Sequence, residues 1–125
     1  MSRLKDICID CSDPWHLSHW WAKVLGYRVR PHSSEDLAAL RDRGFNGPES
    51  DPSLAIDSIG ESHPTIWFNL VPELKQTKNR VHLDVFGDID ELVQHGASII
   101  SRLEHWTIMA DPEGNEFCVF IQDRT

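Results

Sequence analysis

The feature that most constrains how this chain folds is an order of elements that it states twice. Residues 4–11 (LKDICIDC) alternate after Leu4: Ile7 and Ile9 face one way and Asp6, Cys8 and Asp10 the other, the period of a half-buried strand. Asp13 then caps a helix with Pro14 at its first position. Leu17, Trp20, Trp21, Val24 and Leu25 recur at spacings of three and four until Gly26 stops it. Tyr27 to Arg30 resumes a strand, and residues 53–58 and 65–71, separated by Gly60 to Pro64, read as an antiparallel hairpin with Trp67 and Asn69 on one face. The order then restarts at KNRVHLDV, residues 78–85, where Val81, Leu83 and Val85 alternate with Arg80, His82 and Asp84. Asp88 caps a shorter helix with Ile89, Leu92 and Val93 on one side, Gly96 closes it, and the strand ASIISR follows. HWTIMA and NEFCVFI flank DPEG, a turn with Pro second and Gly fourth that suits type I.

Laid side by side, the halves match Asp6 with His82 and Gly26 with Gly96. The pattern predicts an α+β fold of two βαβββ modules forming a cupped mixed sheet with helices on the outer face. Module one covers about 1–75 and module two about 76–125, together one domain over 1–125. The stretch from Pro31 to Pro52 interrupts module one. Its composition is polar, yet Ser33 or Ser34 followed by EDLAALRDR and Gly44 reads as a short capped helix in a peripheral insertion. Each sheet would carry one apolar face under its helix and one polar face. Turned inward, the polar faces would gather Asp6, His82 and Cys118 around one concavity for a small molecule.

Composition narrows the partners. Twelve basic against 20 acidic residues give a net charge of −8, a field that repels phosphate backbones and anionic membrane surfaces, so nucleic acid and membrane are not expected as partners. No apolar stretch approaches the length of a membrane span, and Met-Ser-Arg-Leu-Lys-Asp lacks the apolar core of a secretory signal; the expected address is the cytoplasm. Three cysteines, an odd number, fit a reducing compartment better than a disulfide framework.

The segments DICIDCSDP, HWWAKVLGY, VPELKQTKNRVHLDV and DPEGNEFCVF resemble the vicinal-oxygen-chelate superfamily (glyoxalase, bleomycin resistance, dioxygenase), and within it the glyoxalase-like domains. The resemblance spans nearly the whole chain apart from 31–52. It implies a cupped pocket in which a divalent metal chelates two neighbouring substrate oxygens and acts as a Lewis acid. It also implies a homodimer whose paired modules build the cup. Carried over by position, the ligand sites fall on Asp6 and His82, on Cys118 and on Asn69. That set is incomplete for a hard cation, because Cys118 is soft and Asn69 is a weak neutral ligand where the family pattern has glutamate. The implied function is a lyase, isomerase or dioxygenase acting on a small oxygenated metabolite. The alternative is a protein that sequesters a drug or metabolite without turnover, and a structural dimer with no ligand is a third reading.

Individual residues carry paired readings. His82, with Asp84 two residues on, reads as a contact or catalytic group, or as a histidine donating to an acidic neighbour at the pocket wall. Glu116 and Asp10 are candidate general bases, since a carboxylate in a partly apolar cup can have its pKa raised, or they are solvated strand-end charges. Cys8 and Cys11 form a CxxC string. On a strand an offset of three sends the thiols to opposite faces, which leaves a small apolar residue as the alternative to redox or zinc chemistry. Cys118 differs in facing the cup, where a thiol could line the pocket. Trp67 and Trp106 suit an aromatic wall for a ligand, Trp20 suits helix-to-sheet packing, and the facing of Trp21 is open. Lys78, Asn79 and Arg80 hold an anionic group at the rim or form an exposed turn.

Overall fold

Helix α1 (Pro14–Leu25) starts where Pro14 supplies a preset φ and Asp13 accepts the His16 N–H at 3.1 Å. It ends where Gly26 takes the left-handed conformation, with φ 67°. Its apolar stripe needs a sheet, and the strands on either side supply one. Strands β1 (Asp6–Cys11), β2 (Arg28–Val29), β3 (Ser53–Asp57) and β4 (Thr65–Leu70) pair in the order β1-β4-β3-β2, with β1 parallel to β4 and the other pairs antiparallel. The computed structural model describes residues 1–121, and the chain divides into two compact units, Met1–Leu74 and a second that begins at Lys75.

In the first unit α1 packs on β3 and β4. Leu17, Trp20 and Trp21 of the helix and Leu54, Ile56, Ile66 and Phe68 of the strands are all buried. Full burial of one such aliphatic side chain contributes roughly 1.5–3 kcal/mol before entropy is subtracted. Trp21, whose facing the sequence leaves open, lies in this core beside Trp20, their rings nearly perpendicular at 5.1 Å. The insertion forms the expected helix, α2 (Ser34–Asp42). Ser33 accepts the Asp36 N–H while the Asp36 carboxylate accepts the Ser33 N–H, a reciprocal cap.

The second unit repeats the topology on a smaller scale. Strands β5 (Asp84–Phe86), β6 (Ser98–Arg102), β7 (Thr107–Ala110) and β8 (Glu116–Phe120) pair in the order β5-β8-β7-β6, again with the first strand parallel to the last. Helix α3 (Ile89–Gln94) is capped by Asp88, which accepts the Glu91 N–H at 3.0 Å. Met109, Phe117 and Val119 share a buried face with Leu92 and Ala97. Asp111 shapes the β7–β8 turn by accepting the N–H groups of Glu113 and Asn115, each at 2.9 Å.

Three local expectations are corrected. The strand read over 78–85 is ordered as a strand only from Asp84, and Val81, expected to point inward, is 81% exposed. The reason is the partner: β8 offers Cys118–Phe120 to β5 and one further bond, from the Cys118 N–H to the Leu83 carbonyl at 3.0 Å. Upstream, the Asn79 N–H meets the Glu116 carboxylate instead of a neighbouring strand. Val93 is 43% exposed and is no part of the α3 core face, because a six-residue helix buries little beyond Leu92. The strand read over HWTIMA starts at Thr107, leaving His105 and Trp106 exposed ahead of it.

Candidate functional site

The alternation sends Asp6, Cys8 and Asp10 of β1, Thr65, Trp67 and Asn69 of β4, and Ser53, Ala55 and Asp57 of β3 to one face of the first sheet, through the pairs Cys8 with Trp67, Asp10 with Asn69, and Ala55 with Trp67. Trp67 donates its ring N–H to Asp6 at 3.0 Å. The Lys5 ammonium, 2.6 Å from the same carboxylate, lowers the Asp6 pKa; burial opposes it and the Trp67 donor assists. The Asn69 side-chain oxygen accepts from Ser53 at 2.7 Å. Cys8 and Asp10 are exposed on this face, whereas Cys11 is buried, as the opposite facing of the two thiols requires.

Two neighbours on the same face came from no motif. Arg30 sends Nε and Nη2 to the two Asp57 oxygens at 2.9 and 2.8 Å, and its guanidinium lies 5.1 Å from the centre of the Trp67 ring. That fork holds the Asp57 carboxyl down at about 2; burial pushes the other way and a 2.6 Å hydrogen bond from Thr65 adds to the lowering. Next to Arg30 lies a cleft of about 340 Å³ whose lining includes His32, Asp36, Leu40, Arg43 and Asp51 from the 31–52 stretch. The insertion read as peripheral is therefore a wall of the first unit's cleft. Its two ends are fastened together by His32 Nε2 and Asp51 at 2.8 Å. The only trace of this in the sequence is a polar residue at each mouth of the excursion, which turn chemistry explains as readily.

In the second unit the duplication becomes geometric. The third residue of the closing strand is Trp67 in one unit and Cys118 in the other, paired with Cys8 and Asp84 respectively, and two residues earlier stand Asp6 and His82. As Trp67 reaches Asp6, so the Cys118 sulfur lies 3.9 Å from His82 Nδ1. Asp84 Oδ1 is 3.5 Å from the same nitrogen. His82, Asp84 and Cys118 thus bring a nitrogen, an oxygen and a sulfur within 4.8 Å of one another, the one such group among the described residues. Cys118 is buried while His82 and Asp84 are exposed. Burial and then the Asp84 carboxylate raise the Cys118 pKa, favouring the thiol.

Glu116 is held differently from the expectation. Its desolvation acts upward, but the Asn79 N–H at 2.9 Å, a backbone donor of its own and Lys75 together bring its pKa below the ordinary value, against the raised pKa expected of a general base. Lys75 also donates to the Thr77 carbonyl. Arg80 is exposed, and Trp106 stacks on Phe120 at 6.2 Å.

The sequence profile of the glyoxalase-like domain matches residues 6–120. The chain belongs to that family. Solved structures with this glyoxalase-like fold include an enzyme of the glyoxalase/bleomycin resistance protein/dioxygenase family from Burkholderia phytofirmans PsJN, with a TM-score of 0.62, 18% identity, and coverage of 94% of this chain and 97% of that one. The fosfomycin resistance protein FosX from Listeria monocytogenes aligns with a TM-score of 0.63 at 11% identity over 99% of this chain and 94% of its own. TioX from Micromonospora sp. ML1 aligns at 0.55 and 14% identity over 96% and 98%. These likenesses carry the fold. No curated protein sequence matches the chain. Among the described residues no helix is long and apolar enough to cross a membrane.

Proposed function

We propose that this glyoxalase-like protein binds a small oxygenated metabolite and acts on it as a lyase, isomerase or dioxygenase, with the chemistry centred on His82. The observation that carries the reading is the convergence of His82, Asp84 and Cys118 within 4.8 Å. The ligand atoms of a tetrahedral metal at bonds of about 2.0–2.3 Å stand roughly 3.3–3.8 Å apart; the 3.5 Å separation falls in that range, and the 3.9 Å one would have to close slightly around an ion. The donor set of one nitrogen, one carboxylate oxygen and one sulfur fits a borderline ion such as zinc better than magnesium or calcium. Asp6, the other residue the resemblance marks as a metal ligand, has its carboxylate engaged by Lys5 and Trp67.

A bound divalent cation would polarise a substrate carbonyl and would favour the Cys118 thiolate over the thiol. The chain's own groups divide the remaining work. Asp84 and Cys118 both approach the Nδ1 edge of His82, which orients the ring; with a cation held at Nδ1, Nε2 would carry the ring hydrogen and donate a hydrogen bond to a substrate oxygen. Glu116 supports the wall through Lys75 and Asn79, donors that hold its pKa below the ordinary value and make it a weaker base. A cytoplasmic homodimer fits this reading, and light scattering that finds only monomer would remove the dimer.

Cobalt is the direct probe. Titration of the full chain should produce a thiolate-to-cobalt band, lost in Cys118→Ser and weakened in His82→Ala. An unaltered spectrum with no thermal stabilisation on adding cobalt or zinc would remove the metal-assisted version. A second reading, sequestration without turnover, is favoured by the engagement of Glu116 with Lys75 and Asn79, which leaves the closing strand without a free glutamate base. Recovery of bound metabolite chemically unchanged would support that reading over catalysis.

A further inference from the structure

The geometry points to a ligand site in the first unit, beyond the centre at His82: the cleft under α2 is built to take a small, flat organic carboxylate, with Arg43 as its anion-binding residue. The cleft, about 340 Å³, lies at the low end of the range of small-molecule pockets and suits a single-ring molecule. Its apolar lining comes from Leu40 of α2 and Leu54 and Ala55 of β3, all buried, with Trp67 beside them. The planar Trp67 ring in this lining favours a planar body.

The charged lining is almost entirely committed elsewhere. Asp57 holds Arg30 through two hydrogen bonds, Asp51 holds His32 through Nε2, and Asp36 accepts the Ser33 N–H. Asp51 itself is further fixed by accepting the Ser53 N–H at 2.9 Å. Arg43 stands apart. Its guanidinium lies 5.2 Å from the centre of the Phe45 ring, and among the described residues no carboxylate pairs with it. In a chain of net charge −8, an exposed arginine left without a carboxylate at the edge of a partly apolar cleft is the complement of an anionic group, and a carboxylate matches its planar fork. His32 adds a polar contact: with Nε2 held by Asp51, Nδ1 is the ring nitrogen left for a ligand.

Benzoate and its neutral counterpart benzamide separate charge recognition from shape. The full chain, without added metal, is titrated with each while the Trp67 ring N–H is followed by NMR, so that a failed metal centre and a failed cleft give separate results. Benzoate should bind saturably and at least about tenfold more tightly than benzamide. Arg43→Gln should bring benzoate down to the benzamide affinity, and Arg43→Lys, which keeps the charge and loses the fork, should fall between the two. Circular dichroism checks that both variants fold. Equal binding of the two probes, benzoate binding unchanged in Arg43→Gln, or no saturable benzoate binding at millimolar concentration would each overturn the assignment.

Discussion

Replacing Asp57 with Asn tests whether the Arg30 fork organises the polar face of the first sheet. Asp57 receives two hydrogen bonds from Arg30 and one from Thr65, tying the residue after β2 to β3 and β4. A carboxyl lowered from 3.8 to about 2 corresponds to at most about 2.5 kcal/mol. The guanidinium side chain is 46% exposed and the carboxylate 31%, so solvent screening reduces the expected contribution to about 1 kcal/mol. The sign follows from the direction of the shift. A carboxylate whose pKa is depressed on folding stabilises the folded chain above its unfolded value of 3.8, and that contribution disappears as pH falls from there through about 2. Urea unfolding at neutral pH should therefore find Asp57→Asn less stable by about 1 kcal/mol, with the gap to the unaltered protein narrowing in acid below 3.8. Carbon-detected NMR of the Asp57 carboxyl should give a midpoint near 2. A midpoint at or above 3.8, or a variant as stable as the parent at neutral pH, would refute the reasoning.

Two further outcomes follow from the second unit. Asp111→Ala removes the buried carboxylate that accepts the Glu113 and Asn115 N–H groups; thermal or urea unfolding should show a loss of about 1–2 kcal/mol, and an unchanged midpoint would count against this turn as a stabilising feature. Alkylation by iodoacetamide at neutral pH should modify exposed Cys8 before Cys118, whose thiol is buried and raised in pKa, and Asp84→Asn should speed the reaction at Cys118; equal rates at the two cysteines would contradict the burial of Cys118.

Much of this fold was legible because its signals are local. The Asp13 cap with Pro14, the αL turn at Gly26, the Ser33 cap of α2 and the DPEG turn each act within a few residues, and each forms where the sequence places it. Strand alternation settled facing as well: Cys8 is exposed and Cys11 buried, and Ile66 and Phe68 are buried while Trp67 and Asn69 share the opposite face. The repeat was legible too, since the counting that matched Asp6 with His82 also aligns Cys8–Trp67 with Asp84–Cys118 across the two parallel strand pairs.

What the sequence could not supply depends on partners far along the chain. Alternation at 78–83 looked like strand, but a strand needs a neighbour with free backbone groups, and the Asn79 N–H is taken by the Glu116 carboxylate, 37 residues away. The same contact, with Lys75, lowers the Glu116 pKa where a place in a partly apolar cup suggested the reverse. The 31–52 excursion carries an ordinary capped helix; only the meeting of His32 with Asp51 and the burial of Leu40 make it a cleft wall. Periodicity and capping by themselves determined the two modules and the polar character of their faces, because those are short-range properties of the backbone. The tertiary structure alone decided which polar side chains meet one another, as Arg30 meets Asp57 and His82 meets Asp84 and Cys118, and which, like Arg43, have no carboxylate partner among the described residues, because that depends on distances between residues that no local pattern encodes.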